Sequence, residues 1–286
     1  MRMIEAHYEL RPEGPVAHYT TATGLVAILH SRALWATHIR YLNDASEFIH
    51  AVALAKTYLS TIEKRPDNRA LIESLDETLE SMEGTTWVVS FSEDPDLLSQ
   101  WRAYCSAGGY SLLFSREGLE ELSRSNQLAF AKCVYDRQLQ EQMIAELVSW
   151  TIAAFPKYDL PDSTATAGGE REKAVLFAAN WFFPKMLRLA SLMKDPAFRE
   201  EREWRLVAGL YRPHITPDYH VRGALVVPHR TLRFPDNRPV SDILVEVKIG
   251  PGSDPALAQE GLFFLRQREG IDLLRVTRTE VPYRPQ

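Results

Sequence analysis

The chain has 286 residues, of which 45% are hydrophobic and 25% are charged, a balance typical of a globular protein with one large domain or two small ones. Its net charge of −5 argues against a protein that coats nucleic acid. No apolar run reaches the roughly 20 residues that a membrane-spanning helix needs, and residues 1–10 do not resemble a signal peptide. Cys105 and Cys133 lack CxxC or Cys/His spacing, so we expect reduced thiols, no metal site and a cytoplasmic protein without membrane contact.

Short strands separated by helices are predicted for the first half of the chain. Thr21 or Thr23 can cap a helix in which Leu25, Ile28 and Leu29 have helical spacing. The strands are expected at 16–20, 34–37, 86–91 and 110–114, and further helices at 48–59, at 67–82 and from Asp94-Pro95 to Tyr104.

The second half of the chain combines a mainly helical stretch with more strands. Helices are predicted at 137–155, 170–193 and 256–268, an exposed loop at 157–170, and strands at 132–135, 203–210, 224–227, 243–249 and 273–276. This irregular mixture indicates an α+β fold, not a doubly wound sheet. We expect one domain over 1–286 with a mainly helical insertion at 137–200. No GxGxxG or GxxxxGK[ST] motif supports a Rossmann or P-loop nucleotide site.

The first polar cluster is His18-Tyr19-Thr20, where a predicted strand meets a helix start. An imidazole at this position can donate a hydrogen bond to a ribose hydroxyl, while the free N–H groups of the helix start can bind a phosphate. The alternative is a partly buried histidine that is satisfied by a backbone carbonyl.

The second cluster is Ser90 and Ser92 at the end of an apolar strand. Serine can hold a neighbouring carboxylate in position or bind a ligand amide, although serine also commonly ends strands in turns. Trp101, Tyr104 and Tyr110 follow, and they can form a wall for a flat aromatic ligand or belong to the core.

The third cluster is Glu201 and Glu203 at the start of a predicted strand. In an extended chain these two side chains share one face. Two carboxylates so placed are costly unless they bind a ligand or pair with Arg199, Arg202 or Arg205. The alternative is a solvated edge of ion pairs.

An ordered set of short motifs links these clusters. The motifs are HYT at 18–20, LW at 34–35, YLND-x-x-E at 41–47, SFSE at 90–93, WRAY at 101–104, GGYSLLF at 108–114, FREEREWR at 198–205 and IGP at 249–251. This set resembles the bacterial family called domain of unknown function 2971 and covers most of the chain in the same order. The resemblance does not by itself supply a function.

A second resemblance supplies the functional hypothesis. HYT followed by LVAILHSRALW resembles the opening of ADP-ribosyltransferases, which implies a pair of small sheets forming a cleft, with inserted helices, and NAD as substrate. The resemblance implies that Glu203 stabilises the oxocarbenium-like transition state, and Glu201 is then placed to deprotonate or orient the nucleophile. With the aromatic wall included, the expected NAD-binding residues are His18, Tyr19, Thr20, Ser90, Ser92, Tyr104 and Tyr110.

The sequence also departs from the superfamily pattern. The serine motif is Ser-Phe-Ser where many transferases have Ser-Thr-Ser, and a histidine replaces the arginine of that serine class. The segment with Asn43, Asp44 and Glu47 has no counterpart in the superfamily, and it either contacts ligand or caps the following helix.

Three functions follow from these observations. The leading one is ADP-ribosyl transfer from NAD to a protein or nucleic-acid acceptor, or NAD hydrolysis, in a toxin or an anti-phage effector. The second is a catalytically silent module that binds a nucleotide or a protein partner. The third is a metal-dependent nuclease with Asp44, Glu47, Glu201 and Glu203 as ligands, although no compact metal-ligand spacing is present.

Overall fold

The computed structural model describes residues 1–42, 46–82, 86–105, 108–157, 169–208, 216–252, 254–272 and 274–282. Within these ranges ten strands belong to one sheet. They are β1 (Val16–Thr20), β2 (Ala33–His38), β3 (Trp87–Ser92), β4 (Tyr110–Phe114), β5 (Ala129–Lys132), β6 (Glu203–Ala208), β7 (Asp218–Arg222), β8 (Leu225–Arg233), β9 (Leu244–Ile249) and β10 (Arg275–Arg278).

The strand order is β10-β9-β4-β1-β3-β2-β8-β7, with β6 also paired to β3 and β5 to β6. The predicted α+β class is therefore confirmed. The expected pair of small sheets is replaced by one hydrogen-bonded sheet, because β3 pairs with strands of both halves.

Strand β3 explains how a cleft forms inside this sheet. One edge of β3 pairs with β6 along its whole length, from Trp87↔Ala208 to Ser92↔Glu203. The opposite edge is shared, because Ser92 pairs with Ala17 of β1 and the start of β3 pairs with the end of β2. Between these two pairings, β1 and β2 diverge, and the middle of this edge has no strand partner among the described residues.

Eleven α-helices lie in the described part of the chain. They are α1 (Arg2–Tyr8), α2 (Ala22–Ser31), α3 (Ser46–Ser60), α4 (Arg69–Glu80), α5 (Leu98–Tyr104), α6 (Arg116–Ser125), α7 (Arg137–Ala154), α8 (Glu170–Phe177), α9 (Phe183–Ala190), α10 (Val240–Ile243) and α11 (Pro255–Glu269). A π-helical segment, Ala178–Phe182, joins α8 to α9.

Two apolar clusters hold helices against opposite faces of the sheet. Val89 and Phe91 of β3 pack with α2, α6 and α11, whereas Val88 packs with α3, α4, α7, α8 and α9. This division follows from the alternation of side chains along a strand. Full burial of one large apolar side chain contributes about 1.5–3 kcal/mol, so the two clusters supply most of the cohesion between the layers.

Most predicted elements are found within a few residues of their expected bounds. Thr21 caps α2 as expected, since its side chain accepts a hydrogen bond from the Gly24 N–H at 3.2 Å. The helix expected from Asp94-Pro95 begins instead at Leu98. The strand expected at 132–135 is displaced to β5, and Val134 forms only an isolated bridge to Met193.

Four helices and strands were not predicted from the sequence, namely α1, α6, α10 and β7. The stretch 137–200 contains α7, α8 and α9, as predicted, but these helices pack with α3 and α4 from the first half of the chain. The description as one domain with an insertion stays a prediction. The loop expected at 157–170 falls mostly outside the described residues. No described helix combines the length and apolar character that spanning a bilayer requires.

Candidate functional site

A cavity of about 170 Å³ opens where β1 and β2 diverge from β3. Residues 88–92 of β3 all contribute to its wall, as expected for a cavity that runs along a strand edge. An apolar cavity of about 150 Å³ admits benzene, so the enclosed volume suits one ring-sized group. Seven predicted site residues line this cavity: His18, Tyr19, Ser90, Ser92, Tyr104, Glu201 and Glu203.

His18 lies at the point where β1 leaves β3. Its Nδ1 is 3.0 Å from the carbonyl oxygen of Ser90, so Nδ1 carries the hydrogen and donates it. Burial lowers the pKa of His18, although this hydrogen bond opposes the decrease. In the resulting neutral ring, Nε2 is an acceptor. The expectation that His18 donates to a ribose hydroxyl is therefore corrected, since the remaining ring nitrogen accepts.

Ser90 presents backbone groups to the gap between β1 and β2. Its carbonyl faces the gap, as the bond from His18 shows. In an antiparallel ladder the N–H and C=O of one residue point to the same side, so the Ser90 N–H also faces the gap. The Ser90 hydroxyl has no hydrogen-bond partner within the described ranges. Ser90 therefore offers two groups to a ligand.

Lys194 joins the two carboxylates of the acidic pair. Its Nζ donates to Oε2 of Glu201 and to Oε2 of Glu203. The lysine is 7% exposed, and its backbone N–H donates to the carbonyl oxygen of Val134 at 3.0 Å. Sequence reasoning missed Lys194, because an isolated lysine in a turn carries no local signal of such a contact.

Arg205 holds Glu203 from the other side. Its Nε lies 2.7 Å from Oε1 of Glu203 and its Nη2 lies 3.2 Å from Oε2, while Nη1 donates to the carbonyl oxygen of Ser191 at 2.6 Å. Both oxygens of Glu203 thus accept hydrogen bonds from cations. Two carboxylates and two cations balance, as a buried cluster of charges requires.

The acidic pair meets through a turn, not through an extended chain. Glu201 ends a 3-10 turn and Arg202 adopts the left-handed conformation with φ of 42°. The premise that Glu201 and Glu203 share a strand face is therefore wrong. A left-handed residue other than glycine costs about 1–2 kcal/mol. The Ser92 hydroxyl stabilises the turn by donating to the Glu201 carbonyl at 2.7 Å, and the Tyr135 hydroxyl accepts from the Glu203 N–H at 2.9 Å.

The two carboxyl groups differ in their electrostatics. Burial alone would raise the pKa of Glu203, but Arg205 and Lys194 outweigh it and lower that pKa to about 2. Burial raises the pKa of Glu201 above its ordinary range, against the attraction of Lys194. Glu201 also differs in contacts, because its Oε1 has no hydrogen-bond partner among the residues that the structure describes. Two carboxyl groups whose pKa values are shifted in opposite directions are suited to different roles in acid–base chemistry.

Helix α5 contributes two side chains one turn apart, Gln100 and Tyr104. Tyr104 was predicted, and it lies at the rim with 40% of its surface exposed. Gln100 was not predicted, although it is only 8% exposed and lines the cavity. Its position next to the buried Trp101 resembles an ordinary core position in the sequence.

Trp35 of β2 and Arg222 of β7 also line the cavity. The indole stacks on His220, with ring centroids 5.1 Å apart, and packs against His229 in a tilted arrangement at 4.5 Å. The Arg222 guanidinium donates to the backbone carbonyl of Tyr41. Sequence reasoning missed Arg222 because β7 was not predicted.

Two predicted residues lie away from the cavity. Thr20 and Tyr110 pair across β1 and β4, which places Tyr110 on the side of β1 remote from β3. Tyr19 lines the cavity, but its hydroxyl donates to the Asp94 carbonyl at 2.7 Å and accepts from the Leu97 N–H at 2.8 Å. The Tyr19 hydroxyl therefore orders the turn before α5, and this contact leaves only its ring for a ligand.

A metal site is not evident in the described part of the chain, where no group of three His, Cys, Asp or Glu residues could hold an ion. Asp44 and the side chain of Glu47, which the nuclease hypothesis requires, lie outside the described residues. Cys105 and Cys133 are both buried, as expected for reduced thiols.

Residues 100–206 match the model of a family described as "Protein of unknown function (DUF2971)". The match contains Gln100, Lys194, the acidic pair and Arg205, and it supports the resemblance expected from the short motifs. No curated protein and no solved structure matches the chain. The resemblance to ADP-ribosyltransferases therefore has no support from these comparisons and enters only as a proposal.

Proposed function

We propose that the cavity binds NAD and that the protein transfers ADP-ribose from NAD to an acceptor or to water. The observation that carries this proposal is the convergence of His18 and the pair of Glu201 and Glu203 on one cavity. These are the residue types that the resemblance to ADP-ribosyltransferases implies, and residues 18 and 203 are far apart in sequence.

The size of the cavity favours a particular orientation of NAD. About 170 Å³ accommodates the nicotinamide ring but not the whole dinucleotide, so the remainder of NAD would lie toward the open mouth. Arg222 lines the cavity, and its positive charge would favour binding of the diphosphate of NAD. In the gap beside β3, the neutral His18 would accept a hydrogen bond from a ribose hydroxyl.

The proposed reaction breaks the bond between C1′ of the ribose and the nicotinamide nitrogen. The electron pair of this bond neutralises the pyridinium ring as nicotinamide leaves, and positive charge develops at C1′. Negative charge on Glu201 and Glu203 favours that state. The oxygen of the acceptor then bonds to C1′ and gives its proton to Glu201, whose Oε1 is available and whose raised pKa suits a base.

A second candidate function is a silent module of the same fold that binds a nucleotide or a protein. One observation favours it, because both oxygens of Glu203 already accept hydrogen bonds from Arg205 and Lys194. A carboxylate neutralised by two cations stabilises a developing positive charge less than an unpaired one does. The acceptor, protein or nucleic acid, is left open in the proposal.

Calorimetry with NAD and an assay of nicotinamide release, each with Mg²⁺ and with a chelator, test the proposal. We expect NAD binding and metal-independent nicotinamide release by the wild type. Glu203→Gln should bind NAD with little change and lose at least ~100-fold in turnover, the scale of one preorganised electrostatic group. Glu201→Gln should impair transfer to an acceptor more than hydrolysis.

Glu93→Gln is the matched control, because Glu93 is also a partly buried carboxylate paired with a lysine, Lys132 at 2.6 Å, but does not line the cavity. It should retain full turnover. Binding of NAD without cleavage, with candidate acceptors present, would favour the silent module. Absence of both binding and cleavage would refute the proposal, and cleavage of nucleic acid that depends on Mg²⁺ would favour the nuclease.

A further inference from the structure

Gln100 is a largely buried residue whose side-chain amide has no hydrogen-bond partner among the described residues. Only 8% of its surface is exposed, and it lines the cavity from α5. Its side chain makes no hydrogen bond to the part of the chain that the structure describes. Gln140 shows the usual arrangement for comparison, since its buried amide donates to the carbonyl oxygens of Val134 and Lys194 at 2.6 and 2.9 Å.

The amide atoms of Gln100 are not among the described polar atoms that are sealed from solvent without a partner, so they remain accessible to a hydrogen-bonding group. Because Gln100 lines the cavity, a molecule bound there can supply the partner that the amide lacks. The side-chain amide is planar and offers one acceptor oxygen and two N–H donors. It pairs best with a planar group that has a donor and an acceptor side by side.

The rest of the cavity suits such a planar group. Its volume of about 170 Å³ is that of one ring-sized group, and Tyr104, one turn further along α5, supplies an aromatic ring at the rim. The indole of Trp35 also lines the cavity. Two aromatic side chains in the lining favour a flat ligand.

We propose that Gln100 is the residue that selects the ligand, by pairing its amide with the donor–acceptor edge of a planar ring. Two groups of NAD carry this edge, the carboxamide of nicotinamide and the amino edge of adenine. The inference therefore rests on the proposed function where NAD is concerned, but it applies to any ligand with such an edge.

The test measures affinity of the wild type for four small probes in two pairs. Nicotinamide and 3-acetylpyridine differ in the amide N–H donors, and adenosine and inosine differ in the amino group. We expect one member with the donor, nicotinamide or adenosine, to bind on the order of 10-fold more tightly than its analogue, the scale of one hydrogen bond made in a buried site. The pair of probes that shows this preference tells whether nicotinamide or adenine supplies the donor–acceptor edge that Gln100 binds.

Gln100→Met should abolish this preference because the thioether has the same length but lacks the amide. Since no protein partner loses a bond, its melting temperature should stay equal to that of the wild type or rise. Gln140→Met is the matched control, and it should lower the melting temperature because two carbonyls each lose one donor from a buried amide.

The inference is overturned if none of the four probes binds, if both analogues bind as well as their parents, or if Gln100→Met retains the preference. Failure of the proposed function gives a different result. In that case NAD is neither bound nor cleaved, while nicotinamide or adenosine still binds in a manner that depends on Gln100. If Gln100→Met cleaved NAD with the same KM and kcat as the wild type, the transferase activity would be supported, but Gln100 would have no role in it.

Discussion

Replacement of Glu203 by glutamine should destabilise the protein as well as affect the site. The carboxylate is 4% exposed and accepts hydrogen bonds from Lys194 and from two nitrogens of Arg205. In Glu203→Gln the NH₂ group replaces one acceptor and faces a cationic donor. Lys194 keeps its bond to Glu201, but the buried Arg205 guanidinium loses the carboxylate that accepts from its Nε and Nη2.

The magnitude follows from the protonation equilibrium of Glu203. Its pKa is about 2 instead of the ordinary 4.5, which corresponds to about 3 kcal/mol of preference for the ionised form in the folded state. Removal of one partner from a buried ion pair costs about 3–5 kcal/mol. We therefore expect Glu203→Gln to lower the free energy of unfolding by about 3 kcal/mol at pH 7.

The direction of the pKa shift determines how the stability difference between the wild type and Glu203→Gln should vary with pH. Because the pKa of Glu203 is lower in the folded state, its contribution is complete above pH 4.5 and is lost as the pH falls toward 2. Urea denaturation between pH 7 and pH 3 measures the free energy of unfolding of the wild type and of Glu203→Gln at each pH. The difference between them should be largest at neutral pH and shrink below pH 4.5. A variant within 1 kcal/mol of the wild type at pH 7, or a difference that does not vary with pH, would refute the reasoning.

Three further predictions concern neighbouring contacts. Arg205→Lys cannot reproduce the fork on Glu203 and should lower the free energy of unfolding by about 2 kcal/mol, measured by denaturation; unchanged stability with loss of ligand binding would instead make Arg205 a binding residue. Gly250→Ala would place a Cβ 2.6 Å from Cζ3 of Trp101 and should cost about 1–3 kcal/mol, visible as a lower melting temperature. His18→Ala should weaken NAD binding roughly 10-fold in calorimetry, and an unchanged affinity would remove the ring from the site.

The local pattern of the sequence was sufficient for many elements. The Thr21 cap, the apolar spacing of α2 and the buried run of β3 each depend on neighbouring residues, so these elements were found at nearly their correct bounds. Strand β7 was missed because most of its side chains are exposed on both faces, which removes the alternation that marks a strand.

The site was only partly accessible to sequence reasoning for a related reason. The motifs indicated Glu201 and Glu203, but the contact that unites them comes from Lys194, which is positioned by the bridge between Val134 and Met193. Gln100 likewise stands out only in the structure, where its side-chain amide has no hydrogen-bond partner among the described residues. Such properties depend on residues distant in the chain, and no spacing in one sequence encodes them.

The cleft itself arises from competition for one edge of β3. Strand β6 occupies the other edge completely, so β1 and β2 must share what remains, and each pairs at one end only. The bond from the His18 ring to the Ser90 carbonyl takes the place of one lost ladder bond, and the Ser90 N–H faces the same gap. An unpaired backbone group in a β-sheet is costly unless another group binds it. The geometry that interrupts the sheet therefore also favours the binding of a ligand beside β3.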